Sequence, residues 1–204
     1  VPVSGGHMFA SLAVGGLAAC GRTTDGAVYC WGHNFYGELG DGTTMQHTSP
    51  VAIAGGLAFD SISAGLEHFC GVATGGEAFC WGYNSSGQLG QGSMDAVAHR
   101  TPLAVTGGHL FSAISAGGDG FCAIEAADGT AWCWGTGEGL GAPAPLAQPT
   151  MVPGGHGFVA LASGTRASCG LTGGGALWCW GSGPLGDGVV HAAEVFAPVR
   201  VRDP

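Results

Sequence analysis

Apolar residues along this chain come in short runs broken by glycine, and the runs recur in a fixed order. Phrases such as Ser61-Ile62-Ser63-Ala64-Gly65 and Ala113-Ile114-Ser115-Ala116-Gly117 read as short strands. Each is preceded by a Gly-Gly phrase: Gly5-Gly6-His7-Met8-Phe9, Gly55-Gly56-Leu57-Ala58-Phe59, Gly107-Gly108-His109-Leu110-Phe111 and Gly154-Gly155-His156-Gly157-Phe158. A Pro-led strand lies further upstream, as in Pro50-Val51-Ala52-Ile53 and Pro102-Leu103-Ala104-Val105, and a cysteine strand and a Cys-Trp-Gly strand follow. One unit of about fifty residues is thus four short strands, the sequence form of a propeller blade. Such a unit cannot bury both its faces alone and must stack on neighbours.

The cysteines mark the repeat. They fall at Cys20/Cys30, Cys70/Cys80, Cys122/Cys133 and Cys169/Cys179, and each second one opens the phrase Cys-Trp-Gly. Cys20 and Cys30 are symmetric about Asp25, so a three-residue loop, Thr24-Asp25-Gly26, sets them opposite each other on a hairpin with Gly at the position of positive φ. Thr74-Gly75-Gly76 and Gly173-Gly174-Gly175 repeat the arrangement, and the third unit uses the four-residue loop Ala126-Ala127-Asp128-Gly129. Opposed strand residues lie within reach of a disulfide. Four disulfides, one in each blade, are therefore expected. Buried free thiols are an alternative, and so is a zinc site, whose usual short C-x₂₋₄-C spacing is not seen. Disulfides place the protein in an extracytoplasmic compartment, periplasmic or secreted.

Composition fits this picture. Of 204 residues, 42 are Gly and 10 Pro, which disfavours long helices, while 46% are hydrophobic, which excludes a disordered chain. Only 9% are charged, and the net charge is −9 with no lysine, which argues against nucleic acid as a partner. No apolar run is long enough for a membrane helix. Starting at Val1 without a secretory leader, the chain reads as a processed product or an excerpt.

Gly32-His33-Asn34-Phe35-Tyr36-Gly37-Glu38-Leu39-Gly40-Asp41-Gly42-Thr43 and Gly82-Tyr83-Asn84-Ser85-Ser86-Gly87-Gln88-Leu89-Gly90-Gln91-Gly92-Ser93 resemble the G-x-N-x-x-G-Q-L-G-x-G-[TS] signature of regulator-of-chromosome-condensation repeats. The third unit keeps only Gly139-Leu140-Gly141, and the fourth Gly183-Pro184-Leu185-Gly186-Asp187-Gly188. The resemblance, closest in texture to bacterial extracellular members, implies an all-β propeller, normally of seven blades. It also implies that a secreted inhibitor of an extracellular enzyme shares the fold. The family's nucleotide-exchange activity on chromatin fits poorly with disulfides, acidity and no basic tail, and is not carried over.

The expected organisation is one propeller domain over residues 1–204, with units 1–48, 49–100, 101–148 and 149–197 and a spare Pro-led strand at 198–202. The spare strand leaves two arrangements open. One is a closed four-blade ring; the other is an open arc of a larger propeller, pairing through its terminal strand edges.

Candidate chemistry is sparse. His7, His109 and His156 share a repeat position with Leu57, which favours turn or surface histidines over a metal ring. Trp31, Trp81, Trp134 and Trp180 read as packing between blades, and Trp132 and Trp178 share a second aromatic position with Tyr29 and Phe79. Asn84-Ser85-Ser86 matches a glycosylation sequon that a tight loop explains equally well. Acidic pairs at fixed repeat positions are not expected, and no catalytic set, metal site or cofactor is assigned. The variable loops after Trp-Gly remain as partner-binding candidates: Met45, His47, Met94, His99, Arg100, Pro143, Pro145, Leu146, Val189, Val190, Val195 and Phe196. The function expected is a non-enzymatic protein-binding or scaffold module of the cell envelope, an accessory subunit of a larger complex. The alternatives are a secreted inhibitor of an extracellular enzyme and a glycan-binding or hydrolytic propeller.

Overall fold

Four antiparallel sheets of four strands each account for all the regular structure in a computed structural model that describes residues 3–202. The first sheet is β1 (Phe9–Val14), β2 (Ala18–Thr23), β3 (Val28–Gly32) and β4 (His47–Ala52); the second is β5 (Phe59–Ala64), β6 (His68–Ala73), β7 (Ala78–Asn84) and β8 (Asp95–Ala104). The third is β9 (Phe111–Gly117), β10 (Gly120–Glu125), β11 (Ala131–Gly135) and β12 (Leu146–Met151); the fourth is β13 (Phe158–Ser163), β14 (Ala167–Thr172), β15 (Leu177–Pro184) and β16 (Val190–Arg200). Strand order within each sheet follows the chain, so each is a meander and one blade. No helix among the described residues is long and apolar enough to cross a membrane.

The hairpins fold as the cysteine spacing requires. Cys20 pairs with Cys30, Cys70 with Cys80, Cys122 with Cys133 and Cys169 with Cys179 in the strand registers, and each pair is disulfide-bonded with Cα atoms 4.0–4.1 Å apart. The loop glycines Gly26, Gly76, Gly129 and Gly175 have φ of 89°, 90°, 78° and 82°, where a side chain would be strained. The glycine of each Cys-Trp-Gly is doubly constrained. At Gly82 φ is 101°, and a Cβ would stand 2.5 Å from the Glu67 carbonyl oxygen.

The Pro-led strand closes a blade and does not open one. Pro50 lies in β4, Pro102 in β8, Pro149 in β12 and Pro198 in β16, each the outermost strand of the preceding sheet. The expected spare strand is therefore not spare: Val199 pairs with Cys179 and Arg200 with Trp178, completing the fourth blade. Sequence similarity shows where the repeat recurs but not its phase, which pairing decides. The first copy of that phrase includes Pro2, which lies outside the described residues, while Val3 is not in a strand.

The blades pack in series through three apolar clusters. The first joins Val28, Leu39 and Ile53 to Phe59, Phe69 and Trp81; the second joins Val72 and Leu89 to Phe111, Phe121 and Trp134; the third joins Ile124, Leu140 and Val152 to Phe158 and Trp180. Strand contacts between blades run from β1 to β5, β5 to β9 and β9 to β13, and among the described residues no contact of comparable extent joins the fourth blade to the first. The molecule is an open arc of four propeller blades.

Candidate functional site

One end of the arc carries the turns that follow the first strand of each blade together with the loops that follow Trp-Gly. The signature residues of those loops are structural. Asn34, buried, accepts from the Leu39 amide at 3.0 Å and donates to the Met45 carbonyl at 2.9 Å. Asn84 does the same with Leu89 and Ser93, at 3.1 and 3.2 Å. It is fully buried, so its sequon presents no acceptor to solvent. Glu38 and Gln88 each accept the amide two residues upstream, Tyr36 and Ser86, at 2.8 Å. Their carbonyls in turn accept the indole N–H of the next blade, Trp81 at 2.8 Å and Trp134 at 3.0 Å.

Between the first three blades these turns and loops enclose a hollow of about 350 Å³. Leu17 and Leu66 form an exposed apolar lip, Tyr83 and His33 line the walls, and Glu38, Glu67 and Asp119 supply negative charge. His33 Nδ1 lies 2.9 Å from Glu38 Oε1, and the Tyr83 ring packs on Tyr36 at 4.3 Å between centroids. Burial raises the Glu67 pKa, and repulsion from Glu38 and Asp119 adds to the shift; burial also raises that of Asp119. A cation entering the hollow would relieve this repulsion.

Glu67 and Asp119 occupy one repeat position, three residues before the first cysteine, where the other blades have Leu17 and Arg166. The expectation that no acidic pair recurs at a fixed position is therefore corrected. The signal was in the chain, but a pair in only two blades of four is conspicuous only once the turns are seen to converge.

The sequence-predicted residues divide into two groups. Met45, Met94, Arg100, Pro143, Pro145, Val189 and Val190 are exposed, whereas Leu146, Val195 and Phe196 are half-buried. His47 and His99 are held within their own loops by Asp41 at 3.3 Å and Asp95 at 2.8 Å. Much of the segments 94–100 and 189–196 belongs to β8 and β16, because those outer strands begin early. On the opposite end of the arc His7, His109 and His156 stack on Tyr29, Trp132 and Trp178 with centroids 3.9–4.0 Å apart, and Leu57 and Phe79 both pack against the first cluster. One histidine position and one aromatic position thus form a repeated stack. Among the described residues no group of three metal-ligating side chains converges.

Sequence profiles described as the regulator of chromosome condensation (RCC1) repeat match residues 9–38 and 59–88, and residues 25–72 and 75–124. The chain belongs to the RCC1 repeat family. Solved structures agree on the fold. Human WBSCR16 is 22% identical with a TM-score of 0.84, over 98% of this chain and 55% of that one. Yeast RCC1 (Prp20), in a structure bound to Kap60, is 20% identical with a TM-score of 0.78, over 100% and 50%. The ectodomain of receptor kinase CR4 from Physcomitrella patens is 28% identical with a TM-score of 0.56, over 87% and 40%. The chain spans about half the length of these structures. The buried Asn34, Asn84, Leu39 and Leu89 are thus RCC1-repeat residues in structural use. The third blade lacks the Asn, and there Glu194 of β16 accepts the Gly139 amide at 2.9 Å, one residue before Leu140, the counterpart of Leu39 and Leu89.

Proposed function

We propose that this RCC1-repeat chain is a non-enzymatic protein-binding module of an extracytoplasmic compartment, an accessory part of a larger cell-envelope assembly. It engages its partner through the end that carries the post-Trp-Gly loops. The observation that carries this reading is the hollow between the first three blades. Its three carboxylates, apolar lip and tyrosine wall suit the ammonium or guanidinium group of a partner's Lys or Arg, with aliphatic stem on Leu17 and Leu66. Exposed Met45 and Met94 extend the same end with adaptable apolar surface.

Two further facts support it. The disulfides suit an oxidising compartment. The yeast relative, RCC1 (Prp20), is seen bound to Kap60 in one structure, and another is described together with its binding to Gsp1p and histones. At this identity those partners are not transferred; protein binding as a use of the fold is.

The test is affinity capture from a cell-envelope extract, comparing the native chain with a Glu67→Gln/Asp119→Asn variant. A stable multi-subunit partner, retained by the native chain and lost by the variant or in high salt, is the expected result. Capture of a soluble hydrolase whose activity falls on binding would favour the inhibitor. Turnover of a glycan by the isolated chain would overturn the proposal.

A further inference from the structure

The side chains at two positions of the loop signature take no part in holding the loop together. In the first blade Asn34, Glu38 and Leu39 are buried and bonded within the loop, whereas the positions among them carry Phe35 and Tyr36. The second blade has Ser85 and Ser86 there. A single exposed apolar residue is ordinary, but Phe35, 66% exposed, heads a row of rings. It meets Tyr36 at 5.0 Å between centroids with the planes at 86°, and Tyr36 meets Tyr83 of the second blade at 4.3 Å and 42°. Tyr83 lines the hollow. Burial, and then the charge of Glu67, raises the Tyr36 pKa, which places its hydroxyl within reach of that carboxylate.

The row therefore leads from solvent at Phe35 to the carboxylates of Glu38, Glu67 and Asp119. It lies across the junction of the first and second blades, away from both terminal faces. In the second blade, which is packed on both sides, Ser85 at the position of Phe35 is exposed as well, and so are Leu66 and Glu67. This end is thus open even where a blade has both neighbours.

The ring geometry selects what the row takes. The rings are steeply inclined to one another, so they offer notches and no common plane. An oligosaccharide, which stacks flat on ring faces, finds no platform here. A polyproline II segment has the opposite demand: it has three residues per turn, each rising about 3.1 Å, and its carbonyls make no internal hydrogen bonds. Clefts between aromatic rings take its prolines, and the Tyr36 and Tyr83 hydroxyls can donate to its free carbonyls. One turn is about 9 Å long, which suits a row of three rings in contact. The carboxylates at the end of the row call for a cation on the same segment.

We propose that the partner segment bound at this end is an extended, proline-rich stretch flanked by an arginine, with its prolines between Phe35, Tyr36 and Tyr83 and its guanidinium in the hollow. The proposal rests on the reading of the hollow as the seat of a partner's basic side chain, and adds the backbone form that the site selects. Arginine fits better than lysine because its planar guanidinium pairs with a carboxylate in bidentate fashion and stacks on a tyrosine face.

The probe is a fluorescein-labelled peptide, Arg-Pro-Pro-Pro-Pro-Pro-Pro, titrated with the native chain and followed by fluorescence anisotropy. Saturable binding with a Kd of roughly 100 μM or tighter is expected. The peptide Arg-Gly-Ser-Gly-Ser-Gly-Ser should bind at least about tenfold more weakly, because it must be ordered on binding and has no rings to seat. Phe35→Ala should weaken the proline peptide about fivefold or more, with an unshifted thermal melt confirming its fold. Glu67→Gln/Asp119→Asn should weaken it as well and flatten its salt dependence. Equal binding of the two peptides overturns the proposal. So does a Phe35→Ala variant that binds as the native chain does, or no binding of the proline peptide up to about 1 mM. Failure here is separable from failure of the underlying reading. Envelope capture lost in Glu67→Gln/Asp119→Asn but kept in Phe35→Ala would leave the hollow as the partner site and remove the proline-rich segment alone. A chitosan oligosaccharide that binds where the peptide does not would overturn both in favour of a glycan.

Discussion

At the scale of single residues, glycine and one histidine hold the most information. Gly82 needs both positive φ and the absence of a Cβ, while Gly92 has a φ of 81° with open space around it. Gly92→Ala should therefore cost about 1 kcal/mol of stability, and Gly82→Ala more than about 2 kcal/mol, because the methyl also meets the Glu67 carbonyl. Urea titration of the two variants checks the difference. His68 is fully buried with neither ring nitrogen hydrogen-bonded, and burial lowers its pKa to about 3. The other blades have Ala18, Gly120 and Ala167 at its position, and Gly65 makes room for the ring. With the folded pKa below the unfolded value, the unfolded chain binds the extra proton between about pH 6.5 and 3. Stability from this residue is complete above pH 6.5 and is lost as pH falls through that window. His68→Leu should flatten the acid limb of a stability-against-pH curve, by up to about 1.4 kcal/mol per pH unit. An unchanged acid limb would show that the ring gains a proton or a partner in the folded state.

At the scale of elements, the Cys hairpin was legible because its chemistry is local: spacing, loop glycine and strand register lie within eleven residues. Closing so short a loop limits each disulfide to about 2–3 kcal/mol in the chain-entropy picture. Cys70→Ala/Cys80→Ala should lower stability by that amount without unfolding the chain under mild conditions, since the second blade remains packed on both sides. Thermal melts with and without reductant measure it. The outer strands were harder to read. Residues 94–100 looked like loop because Asp95, His99 and Arg100 are polar, yet β8 runs through them with His99 opposite Gly82. An edge strand exposed to water on its outer side carries no apolar signal to mark its start.

At the scale of the whole molecule, the extensive strand contacts between blades among the described residues join each blade to its neighbours in the chain, so stability is distributed as in a one-dimensional stack. The two middle blades are covered on both faces and the terminal ones on a single face. Hydrogen exchange should accordingly be slowest in β6, β7, β10 and β11 and faster in β2, β3, β14 and β15. Uniform protection at low concentration would contradict the serial picture. The chain alone was enough for the all-β class, the four-strand unit and the cysteine pairing, because these rest on spacings within one repeat. The acidic hollow, the blade to which each Pro-led strand belongs and the openness of the arc were decided by tertiary structure. Each depends on which of several similar surfaces meet across about fifty residues of sequence, and near-identical repeats cannot encode that choice locally.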